Sequence, residues 1–260
     1  MGAVPGAAQN SALNRLTDRA DLLSWEAVGR LDTAGIGTCS GVLIAPKLVL
    51  TAAHCVVERT SEQAISPNKA YFRAGLRDGV SVAERAGARI AVHPRYVATR
   101  NDGGEGARYD VAIVELFEAI PSALADPFVV ATPSLGLKDV SVVSYAHDRN
   151  EALSRQRKCG VIGLEKGLIA FDCDVHFGSS GAPVFEKSTY RARIVSLVSR
   201  GTRDEDAVIA VGMELPTVVS ELKAVLRSGR GVVALEQSVP RAPKIGRGTA
   251  RSGAKFVRVD

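Results

Sequence analysis

The sequence is organised around residues 172–185, DCDVHFGSSGAPVF, where hydroxyl groups lie between two glycines ahead of the apolar pair Val184 and Phe185. Glycine at 178 and 181 permits backbone conformations that other residues avoid, and it lets a ligand approach the main chain closely. Such a loop can direct the amides of Gly178 and Ser180 at one point, where they would stabilise an oxyanion. Taken alone, the stretch is equally typical of a Ser/Gly turn.

Two earlier stretches favour the catalytic interpretation. The segment TAAHC, residues 51–55, follows an apolar run and contains His54. The segment RYDVAIVEL, residues 108–116, places Asp110 at the start of a strand with a buried pattern. In chain order, His54, Asp110 and Ser180 supply a general base, an orienting carboxylate and a nucleophile.

With these three motifs in this order, the chain resembles the trypsin/chymotrypsin-like serine peptidases, in particular their bacterial, glutamyl-endopeptidase-like (V8-like) branch. The resemblance covers roughly residues 25–228. It implies a catalytic triad of His54, Asp110 and Ser180, with an oxyanion hole formed by Gly178 and Ser180. Alignment on the Gly-Ala-Pro that follows selects Ser180, rather than Ser179, as the nucleophile.

The predicted fold class is all-β, with two six-stranded antiparallel β-barrels and a C-terminal helix. The resemblance implies that this helix follows the second barrel and that the active site lies between the barrels. Many short strands punctuated by turns indicate barrels rather than alternating β/α units. The helix begins near Pro216 and ends at Gly229, since apolar residues repeat at helical spacing between them. The expected divisions are an N-terminal arm (1–24) with a short helix around 11–23, a first barrel (25–120), a second barrel with the helix (121–228) and a basic, disordered tail (229–260).

The strands expected in the first barrel include 25–31, 36–45 and 48–51. Residues 122–132 are predicted to cross to the second barrel. The six strands expected there are 140–145, 154–162, 168–173, 182–185, 194–199 and 208–213.

Ser179 departs from the digestive-type relatives, which carry an aspartate at this position. The resemblance implies that their aspartate pairs with an amino terminus released by activation cleavage. A serine cannot form that ion pair, so activity is predicted not to require insertion of a new amino terminus.

Specificity is the weakest part of the sequence argument. The resemblance places Asp174 at the floor of the specificity pocket, where it would favour Arg or Lys at the cleaved bond, but an outward-turned Asp174 is an equal alternative. Glutamate-selective relatives use a histidine where this chain has Val198, which disfavours acidic specificity unless His176 substitutes. Ser199 would hold the substrate backbone and support Asp110, and Gly201 would line the pocket rim.

The four cysteines predict two disulfides. Cys159 and Cys173 flank the turn Glu165-Lys166-Gly167, so a hairpin would bring them face to face. The resemblance implies that Cys39 and Cys55 form the second bridge, beside His54. Two bridges favour an oxidising compartment, either the periplasm or the exterior. Residues 1–23 show no signal-peptide pattern.

The alternative for these cysteines is a metal site, because Cys173 and His176 have a ligand-like spacing. No second pair of similar spacing exists, and neither a metal nor a cofactor is predicted.

The net charge of +5 is concentrated at the C-terminal end. Between Arg227 and Asp260, eight basic residues face only two acidic ones. The tail is predicted to tether the protein to anionic surfaces without reading nucleic-acid sequence, because a single aromatic residue, Phe256, lies among the basic ones. No run approaches the ~18 apolar residues that a membrane span requires.

The predicted function is therefore a secreted or periplasmic serine endopeptidase acting on polypeptides. The alternative is a catalytically silent binding module on the same fold.

Overall fold

The computed structural model describes residues 11–98, 105–203 and 208–235. The elements up to the second helix are β1 (Leu13–Arg15), α1 (Arg19–Leu22), β2 (Val28–Thr33), β3 (Gly37–Ala45), β4 (Leu48–Thr51), β5 (Ala70–Ala74), β6 (Ala83–Val92) and α2 (Glu105–Arg108). Those that follow are β7 (Ala112–Leu116), β8 (Asp139–Ser144), β9 (Ser154–Glu165), β10 (Leu168–Phe171), β11 (Pro183–Glu186), β12 (Arg193–Leu197), β13 (Arg200–Arg203), β14 (Val208–Met213), α3 (Leu215–Ser228) and β15 (Val232–Ala234). Short 3₁₀ turns lie at Ala53–Cys55, Pro67–Lys69 and His147–Arg149.

The first barrel is a closed antiparallel ring. Its strands pair in the order β5-β2-β3-β4-β7-β6, and β6 pairs with β5 to complete the ring. Gly29 and Gly41 face the buried Phe72, and a β-carbon at Gly29 would lie only 2.5 Å from the Phe72 ring. The barrel therefore closes around an aromatic side chain that two glycines leave room for.

The second sheet follows the order β12-β11-β8-β9-β10-β14-β13. Its two end strands, β12 and β13, are consecutive in the chain and are separated only by Val198 and Ser199. The amide of Ser199 donates to the carbonyl of Val211 in β14 (3.0 Å), so the bent β12–β13 segment joins both ends of the sheet. The predicted all-β, double-barrel fold is confirmed.

Helix α3 packs its apolar face between the barrels. Leu215, Val218, Val219, Leu222 and Leu226 are buried, and the helix contacts β6 and β7 of the first barrel and β12 of the second. Gly229 ends the helix in a left-handed conformation (φ 70°) and its amide donates to Val225 (3.0 Å), as expected for a glycine cap.

The two ends of the described chain differ from the predictions. The expected helix around residues 11–23 is reduced to α1, and β1 instead pairs with β9, where it uses hydrogen-bonding groups at a sheet edge. Within the segment predicted to be disordered from residue 229, β15 pairs with β6 through the half-buried Val232 and Val233. Residues 236–260, the basic part of that segment, lie outside the described residues.

Both predicted disulfides are present. Cys39–Cys55 ties β3 to the 3₁₀ turn that contains His54, and Cys159–Cys173 ties β9 to the segment after β10. Because Cys173 is bonded to Cys159, its thiolate is not available for the metal site that was the alternative. Among the helices of the described residues, none is long and apolar enough to cross a membrane.

Candidate active site

His54 is held at the edge of the first barrel by its immediate neighbours. Ala52, Ala53 and Cys55 are fully buried, and the disulfide fixes Cys55 to β3. The His54 side chain remains 36% exposed. Tight packing on both sides of His54 therefore leaves the imidazole at the surface of the cleft.

Asp110 lies beneath His54 and is almost completely buried. Its Oδ2 atom is 2.7 Å from His54 Nδ1, and its Oδ1 accepts the backbone amide of His54 at 3.0 Å. The Ser199 hydroxyl also donates to Oδ2, at 2.6 Å. Burial alone would raise the pKa of Asp110, but His54 and these hydrogen bonds outweigh it and lower that pKa below its ordinary value. The carboxylate is therefore ionised, and Nδ1 of His54 carries the proton that it accepts.

The basicity of His54 follows from the same contact. Burial disfavours the imidazolium, but the charge and the hydrogen bond of Asp110 outweigh this effect and raise the pKa of His54 above 6.5. The nearby Arg200 acts in the opposite direction. With Nδ1 protonated, Nε2 is the ring nitrogen that can accept a proton.

The loop around Ser180 requires its two glycines. Gly178 (φ 94°) and Gly181 (φ 75°) are in the left-handed region. A β-carbon at Gly181 would collide with Thr51 Oγ1 and the Ser40 carbonyl of the first barrel, and one at Gly178 would lie 3.0 Å from Ala146. The positive φ angles disfavour side chains at both positions, and the close approach of the first barrel excludes one at Gly181.

Ser40 of β3 docks this loop onto the first barrel. Its hydroxyl donates to the Gly178 carbonyl (3.0 Å), and its amide donates to the Ser180 carbonyl (2.8 Å). The Ser179 amide donates to the His176 carbonyl (2.9 Å), so the peptide between Gly178 and Ser179 is fixed at both ends. Within the described part of the chain, the Gly178 and Ser180 amides donate to no protein acceptor, which leaves both available to a ligand.

A cavity of about 710 Å³ opens between the barrels, and His54 and Ser180 both line it. Gly178, Ser199 and Gly201, three further residues singled out from the sequence, also line it. The other lining residues are Ile36, Gly37, Thr38, Cys39, His147, Val175, His176, Phe177, Val198, Arg200, Thr202 and Val208.

Asp174 is the predicted site residue that lies elsewhere. Its side chain is exposed and is not part of the cavity lining, while its amide donates to Gln156 Oε1 at 2.7 Å. The next residue, Val175, faces the cavity instead. The pocket-floor position predicted for Asp174 is therefore not found, and the outward-turned alternative agrees with the structure.

Sequence reasoning did not single out Val175 or His147, both of which line the cavity. Val175 Cγ2 packs against the Gly201 backbone so closely that a β-carbon there would lie 2.7 Å from it. Val175 lies beyond the end of β10, so strand alternation offered no signal for it. No local signal distinguishes His147.

Comparison with known proteins gives a consistent result. The family model for the trypsin-like peptidase domain matches residues 39–192. A glutamyl endopeptidase of Bacillus licheniformis is 27% identical over 165 residues, which make up 61% of this chain and 48% of that protein. The serine protease SP24D of Anopheles gambiae is 30% identical over 168 residues, which make up 56% of this chain and 57% of that protein. This chain thus spans about half the length of the curated relatives it matches.

Among solved structures, that of a Glu endopeptidase in complex with MPD superposes with a TM-score of 0.69 at 17% identity. The match covers 85% of this chain and 99% of that one. At this identity, the likeness concerns the fold.

Proposed function

This chain belongs to the family of trypsin-like peptidase domains, and on that premise we propose that it is a serine endopeptidase with the triad His54, Asp110 and Ser180. The observation that supports the proposal most strongly is the buried Asp110 carboxylate, 2.7 Å from His54 Nδ1, below a cavity that His54 and Ser180 share. A carboxylate, an imidazole and a hydroxyl in this relation are the groups that acyl transfer requires.

In the proposed reaction, Ser180 Oγ attacks the carbonyl carbon of the peptide bond while His54 Nε2 accepts the hydroxyl proton. The resulting oxyanion would accept hydrogen bonds from the Gly178 and Ser180 amides. His54 then returns the proton to the leaving amine, the C–N bond breaks and an acyl-enzyme remains. Water repeats the sequence with His54 as base, which releases the acid and restores Ser180.

Asp110 and Ser199 support His54 rather than touch the scissile bond. Asp110 selects the tautomer with Nδ1 protonated and stabilises the imidazolium that forms during each attack. Ser199 donates to the same carboxylate oxygen and thereby favours its ionised form.

For the residue before the cleaved bond, we propose small or medium apolar side chains in place of Arg or Lys. The wall that would receive that side chain carries Val175, Val198 and Val208, and Val175 packs against Gly201. Of the described residues that line the cavity, none carries a carboxylate that would pair with a basic side chain. His176 and the cation Arg200 also line the cavity, and an acidic preference would arise through them.

The proposed location is the periplasm or the cell exterior, because two disulfides persist best in an oxidising compartment. The basic tail remains a proposed tether to anionic surfaces. Its binding to a heparin matrix should be lost as salt is raised and should be absent after deletion of 236–260.

The test compares the wild type with Ser180→Ala, using a serine-directed fluorophosphonate probe and a mixed peptide library. Labelling and cleavage by the wild type alone support the endopeptidase, and the cleavage sites report the preferred residue. Val175→Gly should broaden the preference toward larger side chains by about tenfold, whereas Val140→Ala, in the same core but outside the cavity, should not. Absence of labelling in a folded, disulfide-bonded wild type would support the silent binding module.

A further inference from the structure

Arg149 is a largely buried cation directly behind the loop that contains Ser180. It ends the 3₁₀ turn His147–Arg149, and its side chain is 11% exposed. Its Nη1 donates to the carbonyl and hydroxyl of Ser144, at 3.1 and 3.2 Å. Its Nη2 lies 3.4 Å from the hydroxyl of Ser179. The guanidinium therefore connects β8 to the residue between the two amides of the proposed oxyanion hole.

The part of the chain that the structure describes neutralises the charge of Arg149 poorly. Among the described residues, the nearest carboxylate is that of Asp148, which is mostly exposed and whose Oδ1 lies 3.9 Å from Nε. Asp174 acts on the guanidinium electrostatically, also from an exposed position. Burial lowers the pKa of Arg149 from its ordinary value, as expected when a cation is withdrawn from water without a closely bonded acid. A buried, incompletely compensated charge is costly, so its retention here suggests a use.

Ser179 links Arg149 to the loop through hydrogen bonds. Its hydroxyl is completely buried and accepts the His176 amide at 3.2 Å in addition to Arg149. Its own amide donates to the His176 carbonyl. Ser179 thus fixes the backbone between Gly178 and Ser180 through these hydrogen bonds. Arg149 is the cation that holds the Ser179 hydroxyl in place.

We propose that Arg149 is a positioning residue for the oxyanion hole, which holds Ser179 in place and supplies positive charge behind the Gly178 and Ser180 amides. The inference rests on the proposed peptidase function. As the carbonyl oxygen gains negative charge, an already fixed cation behind the two donors stabilises it without reorganisation. In the substrate-bound ground state that negative charge has not developed, so the effect should fall on kcat rather than on KM.

The experiment measures kcat and KM on a peptide chosen from the library for the wild type, Arg149→Met and Arg149→Lys. Arg155→Met is the matched control, because Arg155 is a half-buried arginine of the same barrel that contacts Trp25 and Ser141. We expect Arg149→Met to lower kcat by about 10–100-fold with KM within about twofold. Arg149→Lys keeps the charge, so its kcat should be at least about threefold higher than that of Arg149→Met. The control should stay within about twofold of the wild type.

A second readout separates positioning from general damage. A peptide aldehyde forms a tetrahedral adduct with Ser180 and uses the oxyanion hole, whereas the corresponding peptide alcohol binds without an oxyanion. Arg149→Met should weaken inhibition by the aldehyde by the same factor as kcat, and it should leave binding of the alcohol unchanged.

Three outcomes would overturn the proposal: an Arg149→Met enzyme with kcat within about twofold of the wild type, a lysine variant no better than the methionine variant, or equal losses for aldehyde and alcohol. If Arg149→Met does not fold, the same comparison is made between Arg149→Lys and Ser179→Ala, each of which should lose kcat and aldehyde affinity together. A wild type that neither labels nor cleaves would instead refute the proposed function, and the inference with it.

Discussion

Two histidines of the first barrel each have a carboxylate oxygen 2.7 Å from a ring nitrogen, yet their protonation properties are opposite. His54 contacts Asp110, whose side chain is 5% exposed, whereas His93 contacts Glu221 of α3, whose side chain is 40% exposed. The pKa of His54 is raised, and that of His93 is lowered. Distance to a carboxylate therefore does not by itself create a catalytic base.

The difference lies in what surrounds each pair. The His93 side chain is 1% exposed, and its burial outweighs the attraction of the partly solvated Glu221. Its second nitrogen, Nδ1, already accepts the Arg95 amide at 3.2 Å. His54 instead lines the cavity, and its partner Asp110 is held ionised by three hydrogen bonds. A useful base needs a buried anion with several hydrogen bonds beside one ring nitrogen and an open approach to the other.

Neutralising the two carboxylates should separate the pairs most clearly. Asp110→Asn should lower kcat/KM by about 10⁴-fold, since an amide can hold the wrong tautomer and cannot stabilise the imidazolium. Glu221→Gln removes the partner of His93, and neither residue lines the cavity, so kcat/KM should change by no more than about twofold. Steady-state kinetics of both variants, with thermal melts to verify folding, measure the contrast. A comparable loss in Glu221→Gln would show that His93 contributes to catalysis.

A smaller effect is expected when the Ser199 hydroxyl, which donates to Asp110, is removed. Ser199→Ala removes a hydrogen bond to a charged group, worth about 1.5–3 kcal/mol, so kcat/KM should fall by about 10–100-fold. Ser196→Ala is the matched control, because Ser196 is also buried but, within the described ranges, its hydroxyl bonds to the Leu197 carbonyl and to no carboxylate. Equal activities of the two variants would contradict a supporting role for Ser199.

The pH dependence of stability should differ in sign between the two histidines. The folded pKa of His93 lies below 6.5, so the unfolded chain binds more protons and stability falls as the pH drops through 6.5 toward that pKa. The folded pKa of His54 lies above 6.5, so its contribution is fully present below 6.5 and is lost as the pH rises through the folded pKa.

Each histidine can change the slope of the unfolding free energy by at most about 1.4 kcal/mol per pH unit. His93→Phe should flatten the acid side of the profile, and His54→Ala should flatten the side above 6.5. Urea unfolding at a series of pH values tests both. A profile unchanged by either substitution would mean that the two environments do not differ as described.

Most of the architecture could be predicted from the sequence, because strand patterns and turn residues are local features. Two strands have the predicted bounds, Leu48–Thr51 and Val208–Met213. Helix α3 ends at Gly229, as predicted from the backbone freedom of glycine. The same local logic places His54 and Asp110 at the ends of apolar runs. Their separation of 2.7 Å is a property of the closed barrel, in which β4 and β7 are neighbours.

What could not be predicted depends on contacts between distant segments. The side to which Asp174 turns could not be predicted because Asp174 lies beyond the end of β10 at Phe171, where strand alternation no longer sets the direction of a side chain. Arg149 lies in a polar stretch, HDRN, that resembles an exposed turn, and only the fold buries it behind Ser179. The pairing of His93 could not be predicted from a local motif either, because its partner Glu221 is 128 residues away in the chain.

The chain crosses between the two barrels three times within the described residues. It runs from β1, on the second barrel, to β2 of the first, then through residues 117–138 to β8, and finally through α3 back to β15 on β6. A cut in the first or the third crossing leaves the two barrels joined covalently through residues 117–138. A cut within 117–138 leaves no covalent link, because each disulfide lies within one barrel, and the halves would then be held by the pairing of β1 with β9 and of β15 with β6. For an enzyme proposed to hydrolyse polypeptides, itself included, this redundancy would let a self-inflicted nick leave His54 and Ser180 facing the same cavity.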